Sequence, residues 1–214
     1  MEQDMSVLQK IAFFQRQRSE LPNQELAREL AQTRDQGDIQ EIADNLWNRE
    51  PNVRSDCLKV LYELGYLEPE LIAGYADDFL KLLTDRNNRL VWGAMIALST
   101  IASLQAERLF PYVGTIQKIM GEGSVITNDA GMKTLCRLAA HTDEYRRQIL
   151  PFLFERLTLA RPVDAPRYAE IILPCITPAE KTEFTAILET WMRSAQGSRL
   201  TRLRKVLQQV GNLR

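Results

Sequence analysis

The sequence predicts an all-α fold, a right-handed α–α superhelix of about four to five helical hairpins preceded by N-terminal capping helices. Three observations predict it: a fixed 37-residue repeat, helical spacing of the apolar residues inside each repeat, and breaker residues where one helix must give way to the next. The segments VLYELG (60–65), ALSTIA (97–102), TLCRLA (134–139) and IILPCI (171–176) follow one another at steps of 37. In that register Leu61, Leu98, Leu135 and Ile172 align, as do Leu64, Ile101, Leu138 and Cys175. One turn earlier stand Cys57, Ala94, Gly131 and Tyr168. The same step aligns Ile39, Ala76, Val113 and Leu150 on the preceding helix, then Ile42, Phe79, Ile116 and Leu153, then Leu46, Leu83, Met120 and Leu157. A period of 20–50 residues is the mark of a stack in which each unit buries its apolar face on its neighbours.

Each unit reads as a first helix, a short turn and a second helix. First helices are expected at 38–48, 71–84, 108–121, 144–159 and 181–195, and second helices at 53–66, 89–104, 126–140, 165–176 and 198–210. Within each, apolar residues recur at i, i+3, i+4 and i+7, which places them on one helical face. The turns hold EPN (50–52), DRNN (85–88) and GEGS (121–124), and Gly65 with Pro69 marks the end of one helix and the approach of the next. A single domain, 1–214, is therefore expected: capping helices in 1–37 (6–19 and 23–35, separated by Pro22), regular repeats over 38–176, and an irregular capping repeat over 177–214. Terminal units depart from the pattern because they must shield an otherwise open core.

The stretch LLTDRNNRLVWGAMIALSTIA resembles the HEAT-repeat (armadillo-like) α-solenoid family. In that family an Asp closes the first helix and a Val-Arg pair opens the second. Asp85 matches the Asp, Val53-Arg54 matches the Val-Arg pair of the preceding unit, and Pro111 and Pro151 match the proline often found within the first helix. Asn48 replaces the Asp in the unit of Arg54, so no unit holds the whole Asp-plus-Arg set. The resemblance implies that the second helices line a concave side.

That placement singles out a stripe opposite the core positions. Ser55, Lys59, Tyr62 and Tyr66 share it in one repeat, Trp92, Ile96, Ser99 and Ser103 in the next, and Asp129, Lys133, Cys136 and Ala140 in the third. Tyr62, Tyr66, Trp92 and Ile96 would form an apolar patch bordered by Arg54, Lys59 and Arg89, and aromatic residues beside cations have the composition of binding hot spots. The alternative is that Trp92 or Tyr62 packs sideways against a neighbouring repeat.

Other residues have simpler readings. His141, the one histidine, falls at a helix end where a donor suits the exposed carbonyls, and alone it makes a His-based zinc or iron site implausible. Cys57 and Cys175 fall on core positions and Cys136 on the opposite stripe. Their odd number and wide spacing argue against a disulfide framework and for a reducing compartment. The pairs Asp77-Asp78 and Asp143-Glu144 diverge on a helix, so they are expected to be solvated rather than to converge on a substrate. No GxxxxGK[ST], GxGxxG or GxSxG motif occurs.

Composition bounds the function. Hydrophobic residues make up 45% and charged residues 26%, as in a globular chain with a core, and the net charge of −1 provides no global field for nucleic acid or an acidic membrane. No run of about 18 apolar residues is present, and the N-terminal MEQDMSVLQKIAFFQRQ reads as neither a signal peptide nor an anchor, so a cytoplasmic protein is expected. Arg199, Arg202, Arg204, Lys205 and Arg214 follow Glu189 without another acid, a pattern that fits a solvated capping helix first and contact with phosphate or an acidic partner second.

The expected function is a non-enzymatic protein- or peptide-binding scaffold with no cofactor, because a stack offers extended surface without a catalytic pocket. The rival is a nucleic-acid-binding protein resembling the HEAT-like DNA alkylation-repair glycosylases, which have a basic concave face with tryptophans and an acidic catalytic residue. Trp47, Trp92 and Trp191 keep that rival in view, but Trp47 and Trp191 fall on first helices and the pI is about 6.0. One histidine and three scattered cysteines lead to a first prediction: elemental analysis of the purified protein should find no transition metal at or near one equivalent per chain.

Overall fold

The computed structural model describes residues 6–213, and among these every regular element is helical. The α-helices in chain order are α1 (Leu21–Thr33), α2 (Gln36–Asp44), α3 (Pro51–Leu67), α4 (Ala76–Leu82), α5 (Asn88–Ile101), α6 (Ala106–Leu109), α7 (Val113–Glu122), α8 (Val125–Ala139), α9 (Asp143–Thr158), α10 (Ala165–Ile172), α11 (Lys181–Ser194) and α12 (Gly197–Gly211). The chain divides into two compact units, Met1–Gln105 with Ile116–Ala130, and Ala106–Thr115 with Gly131–Arg214.

Second helices match the expected spans within a few residues, and α3 and α5 each start at a local cap. Glu50 caps α3 by accepting from Asn52 N, with Pro51 supplying the first helical residue, and Asn87 caps α5 by accepting from Arg89 N. First helices are less regular. The stretch expected as one helix at 71–84 is two short 3₁₀ turns, Pro69–Leu71 and Ala73–Tyr75, followed by α4. Pro111 lies in the 3₁₀ turn Phe110–Tyr112 that separates α6 from α7, whereas Pro151 is accommodated inside α9.

In the first unit α3 is the central element and packs against α1, α2 and α5. The core positions of the repeat are buried as the register requires: Cys57, Leu61, Leu64, Ala94, Leu98 and Ile101 are inaccessible to solvent. The approach of α3 to α5 is close at two glycines. A Cβ on Gly65 would lie 2.3 Å from Thr100 Oγ1 and 2.6 Å from Ile72 Cδ1, and one on Gly93 would lie 2.7 Å from Leu58 Cδ2.

The N-terminal expectation needs correction. Residues 6–19 do not form a helix but a 3₁₀ turn, Val7–Lys10, followed by turns, with Arg16 in the left-handed region at φ 53°. The cause is a set of side chains that satisfy the backbone in place of helical bonds. Asn23 Oδ1 accepts from Ala12 N at 2.9 Å, Asp56 Oδ2 accepts from Phe13 N at 2.8 Å, and Asn23 Nδ2 donates to Asp56 Oδ1 at 3.0 Å. Helix α1 behaves as a second helix: Asn23, Ala27 and Leu30 are buried and stand 34 residues before Cys57, Leu61 and Leu64. The acidic opening residues and Arg214 lie outside the described residues.

In the second unit α9 packs against α10 and α11, and α12 against α10 and α11. Phe154 stacks on Phe184 at a centroid distance of 5.8 Å, and Trp191 Nε1 donates to Leu157 O at 3.0 Å, which ties α11 to α9. Lys181 Nζ donates to the carbonyls of Gly211 and Leu213 at 2.9 and 3.3 Å, placing a cation on the carbonyl end of α12. Arg202 forms a bidentate pair with Glu170, which removes one cation from the basic face of α12.

The glycine contacts supply the second prediction. Gly65→Ala should destabilise the fold by about 1–3 kcal/mol, the usual cost of overpacking. Gly74→Ala, with nothing within 4 Å of its added Cβ, should change stability by less than about 0.5 kcal/mol. Urea unfolding of the two variants beside the parent checks both.

Candidate binding surface

The stripe picked out on α3 and α5 is only partly open. Positions Tyr62, Ser99 and Cys136, which are equivalent in the repeat, are all buried, and so is Ile96. Tyr66, Ser103 and Ala140, equivalent positions one turn on, are all exposed. Ser55, Trp92 and Asp129 are half-buried. The expectation of one exposed patch is thus corrected for Tyr62 and Ile96. A second helix within the stack has neighbours on its flanks as well as a first helix behind it, so its buried arc is wider than a single apolar stripe. Tyr62 does pack sideways toward the next repeat: its ring lies 6.2 Å from that of Trp92 and edge-on to that of Tyr66 at 6.3 Å.

Arg54 serves a different purpose. Its Nε donates to Leu46 O at 2.8 Å, one terminal nitrogen lies 2.6 Å from Asp85 Oδ2, and its guanidinium stands 5.8 Å from the Trp47 ring centroid. Asp85 Oδ1 accepts from Asn87 N at 2.8 Å. Burial works against the Asp85 charge, but the Asn87 N–H and the Arg54 guanidinium outweigh it and hold the carboxyl below its ordinary pKa of 3.8. The Asp and Arg of the HEAT-like pattern therefore close across neighbouring repeats, Arg54 of one on Asp85 of the next. Trp47 is held from its other side by Asp78, whose Oδ1 accepts from Nε1 at 3.3 Å.

The residues that do come together are Lys59, Tyr62, Arg89 and Trp92, which line one narrow cleft with Ser55, Leu58 and Gly93. Glu20, just ahead of α1, completes the lining. Lys59 Nζ lies 3.0 Å from Glu20, 2.7 Å from Glu63 and 4.8 Å from the Tyr62 ring centroid. Burial opposes its charge, yet the Glu63, Tyr62 and Glu20 side chains raise its pKa above the ordinary lysine value. Burial raises the Tyr62 pKa, with Lys59 acting in the opposite sense. Lys59 thus stays charged, and Tyr62 neutral, at physiological pH. Arg89 reaches Glu20 at 3.6 Å. No signal in the periodicity pointed to Glu20, because it belongs to the irregular segment before α1.

Elsewhere, Cys136, on the stripe opposite the core positions, is packed inside: its Sγ lies 3.7 Å from Ile172 O, the carbonyl that also accepts from Cys175 Sγ at 3.0 Å. Burial pushes the Cys57 thiol up to about 12, and its partner Cys136 together with burial pushes Cys175 up, so neither is a thiolate nucleophile at neutral pH. His141 is exposed, with its ring 5.7 Å from that of Tyr145, which stacks on Phe110. Among the described residues no group of three or more His, Cys, Asp or Glu side chains could hold a metal ion, and no helix is long and apolar enough to cross a membrane. In the second unit a groove of about 390 Å³, lined by Thr158, Ile187, Thr190 and Trp191 among others, runs along α11 and was not anticipated from the sequence.

No protein-family model matches the chain, and no curated protein matches it. Solved structures do. An engineered protein is 17% identical with a TM-score of 0.67, over 98% of this chain and 97% of its own. A designed armadillo repeat protein in complex with the peptide (KR)4 is 16% identical with a TM-score of 0.68, over 87% of this chain and 86% of its own. A computationally designed armadillo repeat protein for modular peptide recognition is 15% identical with a TM-score of 0.66, over 95% and 98%. The chain accordingly has the armadillo-like α-solenoid fold, in agreement with the helical register read from its sequence.

The Arg54–Asp85 contact yields the third prediction. Asp85→Asn should lower stability at neutral pH by about 1.5–3 kcal/mol, the usual worth of a hydrogen bond to a charged group. Because the folded-state pKa of Asp85 is depressed, its contribution is present above the unfolded value and is lost as pH falls through the folded one. The gap between parent and variant should therefore close on acidification below about pH 4, as read from denaturant unfolding at a series of pH values.

Proposed function

We propose that this chain is a non-enzymatic scaffold that binds a protein or peptide on the α3–α5 face around Tyr66 and Trp92. The observation that carries the reading is the row Tyr66–Tyr62–Trp92, three rings in edge-on and tilted contact across two neighbouring helices, with Lys59 and Arg89 beside them. Tyr62, buried in the middle, fixes the geometry of the other two. Tyr66 remains 54% exposed and Trp92 half-exposed. Rigid aromatic side chains beside cations lose little conformational entropy on binding and dominate interface energetics. The fold supports the same reading, since a stack of hairpins presents continuous surface, and one designed protein of this fold is in complex with a peptide.

The nucleic-acid alternative has less to support it. The net charge is −1, Trp47 is engaged by Asp78 and Arg54, and Trp191 by the Leu157 carbonyl. Lys59 is neutralised by two carboxylates. A phosphate backbone would meet few free cations on this face. The three free, buried cysteines support a reducing compartment such as the cytoplasm.

The fourth prediction tests the surface. Selection from a displayed random-peptide library on the full chain should yield peptides whose affinity falls about thirtyfold, near 2 kcal/mol, on Tyr66→Ala or Trp92→Ala. Tyr66→Ala should leave stability within about 0.5 kcal/mol of the parent, while Trp92→Ala, half-buried, should cost somewhat more. Selected peptides that bind both variants as tightly as the parent would overturn the reading, as would an oligonucleotide that outcompetes them at about 200 mM salt.

A further inference from the structure

The cleft between α3 and α5 already holds a ligand-like group from the chain itself. Glu20 is the residue at the N-cap position of α1, yet its side chain makes no capping hydrogen bond there. Instead its carboxylate reaches Lys59 at 3.0 Å and Arg89 at 3.6 Å, against a cleft walled by Tyr62, Trp92 and Leu58. The two cations are not equivalent. Lys59 has a second carboxylate, Glu63, one turn along its own helix, and its side chain is only 12% exposed. Arg89 has a side chain 54% exposed and, among the described residues, Glu20 is the one ion-pair partner shown for it. If the Glu20 side chain swings out, Glu63 still neutralises Lys59, and Arg89 is left as an uncompensated cation beside two aromatic rings.

We infer that this cleft receives an acidic side chain of the bound peptide, with Glu20 as its intramolecular stand-in; the inference rests on the reading of the α3–α5 face as a peptide-binding surface. The partner is a peptide segment with an Asp or Glu adjacent to apolar residues. Its carboxylate replaces that of Glu20 at Arg89 and Lys59, and the apolar neighbours cover Tyr66 and Trp92. Exchange of one carboxylate for another conserves charge in the cleft, so the incoming group strands no buried ion. Glu20 competes from a position fixed by the chain, which gives it a high effective concentration. The partner prevails through the added apolar contacts, and the charge sets which sequences qualify.

The test uses the full chain and two fluorescein-labelled octapeptides, one of alternating Glu and Leu and one of alternating Gln and Leu, read by fluorescence anisotropy at about 50 mM salt. Exposed ion pairs are weak, so removing the competitor should have a modest effect: Glu20→Ala and Glu20→Gln should each bind the Glu peptide about two- to fivefold tighter than the parent. The Gln peptide should show no such gain. Arg89→Ala in the Glu20→Ala background should bring the Glu peptide down to the affinity of the Gln peptide, and about 500 mM salt should erase the difference between the two peptides. Equal affinity of the Glu20 variants for both peptides would overturn the inference, as would a gain that survives Arg89→Ala. Library-selected peptides that depend on Tyr66 and Trp92 but carry no excess of Asp or Glu would sink the acidic-partner inference and leave the binding surface standing. Selected peptides indifferent to Tyr66 and Trp92 would sink both.

Discussion

A helical hairpin in an open stack cannot bury its apolar stripe alone, so each must lie against the next, and here the separation is set where α3 meets α5. Gly65 and Gly93 let the two helices approach to a distance that a methyl group would obstruct. That approach seals Leu61, Leu64, Leu98 and Ile101 from water. It also brings the Tyr62 ring up to that of Trp92, so that the aromatic row exists only because the backbones are close. Core and candidate surface share one cause. Close packing leaves no room to adjust one without the other.

Two ion-pair systems in the same unit show how setting decides what charge does. Arg54 and Asp85 are mostly shielded, and each is further bound by backbone, Arg54 by the Leu46 carbonyl and Asp85 by the Asn87 N–H. Breaking that pair would leave a largely desolvated charge unmatched, so it acts as a tie between consecutive repeats. Glu20 with Lys59 and Arg89 is the opposite case. The carboxylate is about half exposed and contributes little to holding the fold. A tie of that kind can be exchanged for another carboxylate at small cost, which is what a recognition contact requires.

Comparison with the designed armadillo proteins bears on the same point. They share this chain's fold at 15–16% identity, and one is in complex with a peptide of alternating Lys and Arg. On the α3–α5 face of the present chain the two cations, Lys59 and Arg89, are each paired with a carboxylate of the chain itself. A scaffold fixes where a peptide can lie, while the side chains on the second helices fix which peptide is accepted.

The sequence by itself determined the helical hairpins and their core. A 37-residue step through Leu61, Leu98, Leu135 and Ile172 marks the same apolar position on successive second helices, and all four are buried. The resemblance to the HEAT-like pattern singled out Arg54 and Asp85, though not that they meet across neighbouring repeats. The N-terminal half-repeat was illegible for a local reason: its step is 34, and its backbone is satisfied by Asn23 and Asp56 rather than by helical bonds. Tertiary structure alone decided the surface. Periodicity assigns a residue to a face, but whether that face meets solvent or a flanking helix depends on how closely the helices stack. Tyr62, Ile96 and Cys136 were therefore lost to the interior while Tyr66 stayed outside. Glu20 entered the cleft across 39 positions of sequence to Lys59, a distance no helical pattern spans, because only folding brings an irregular segment against the face of another helix.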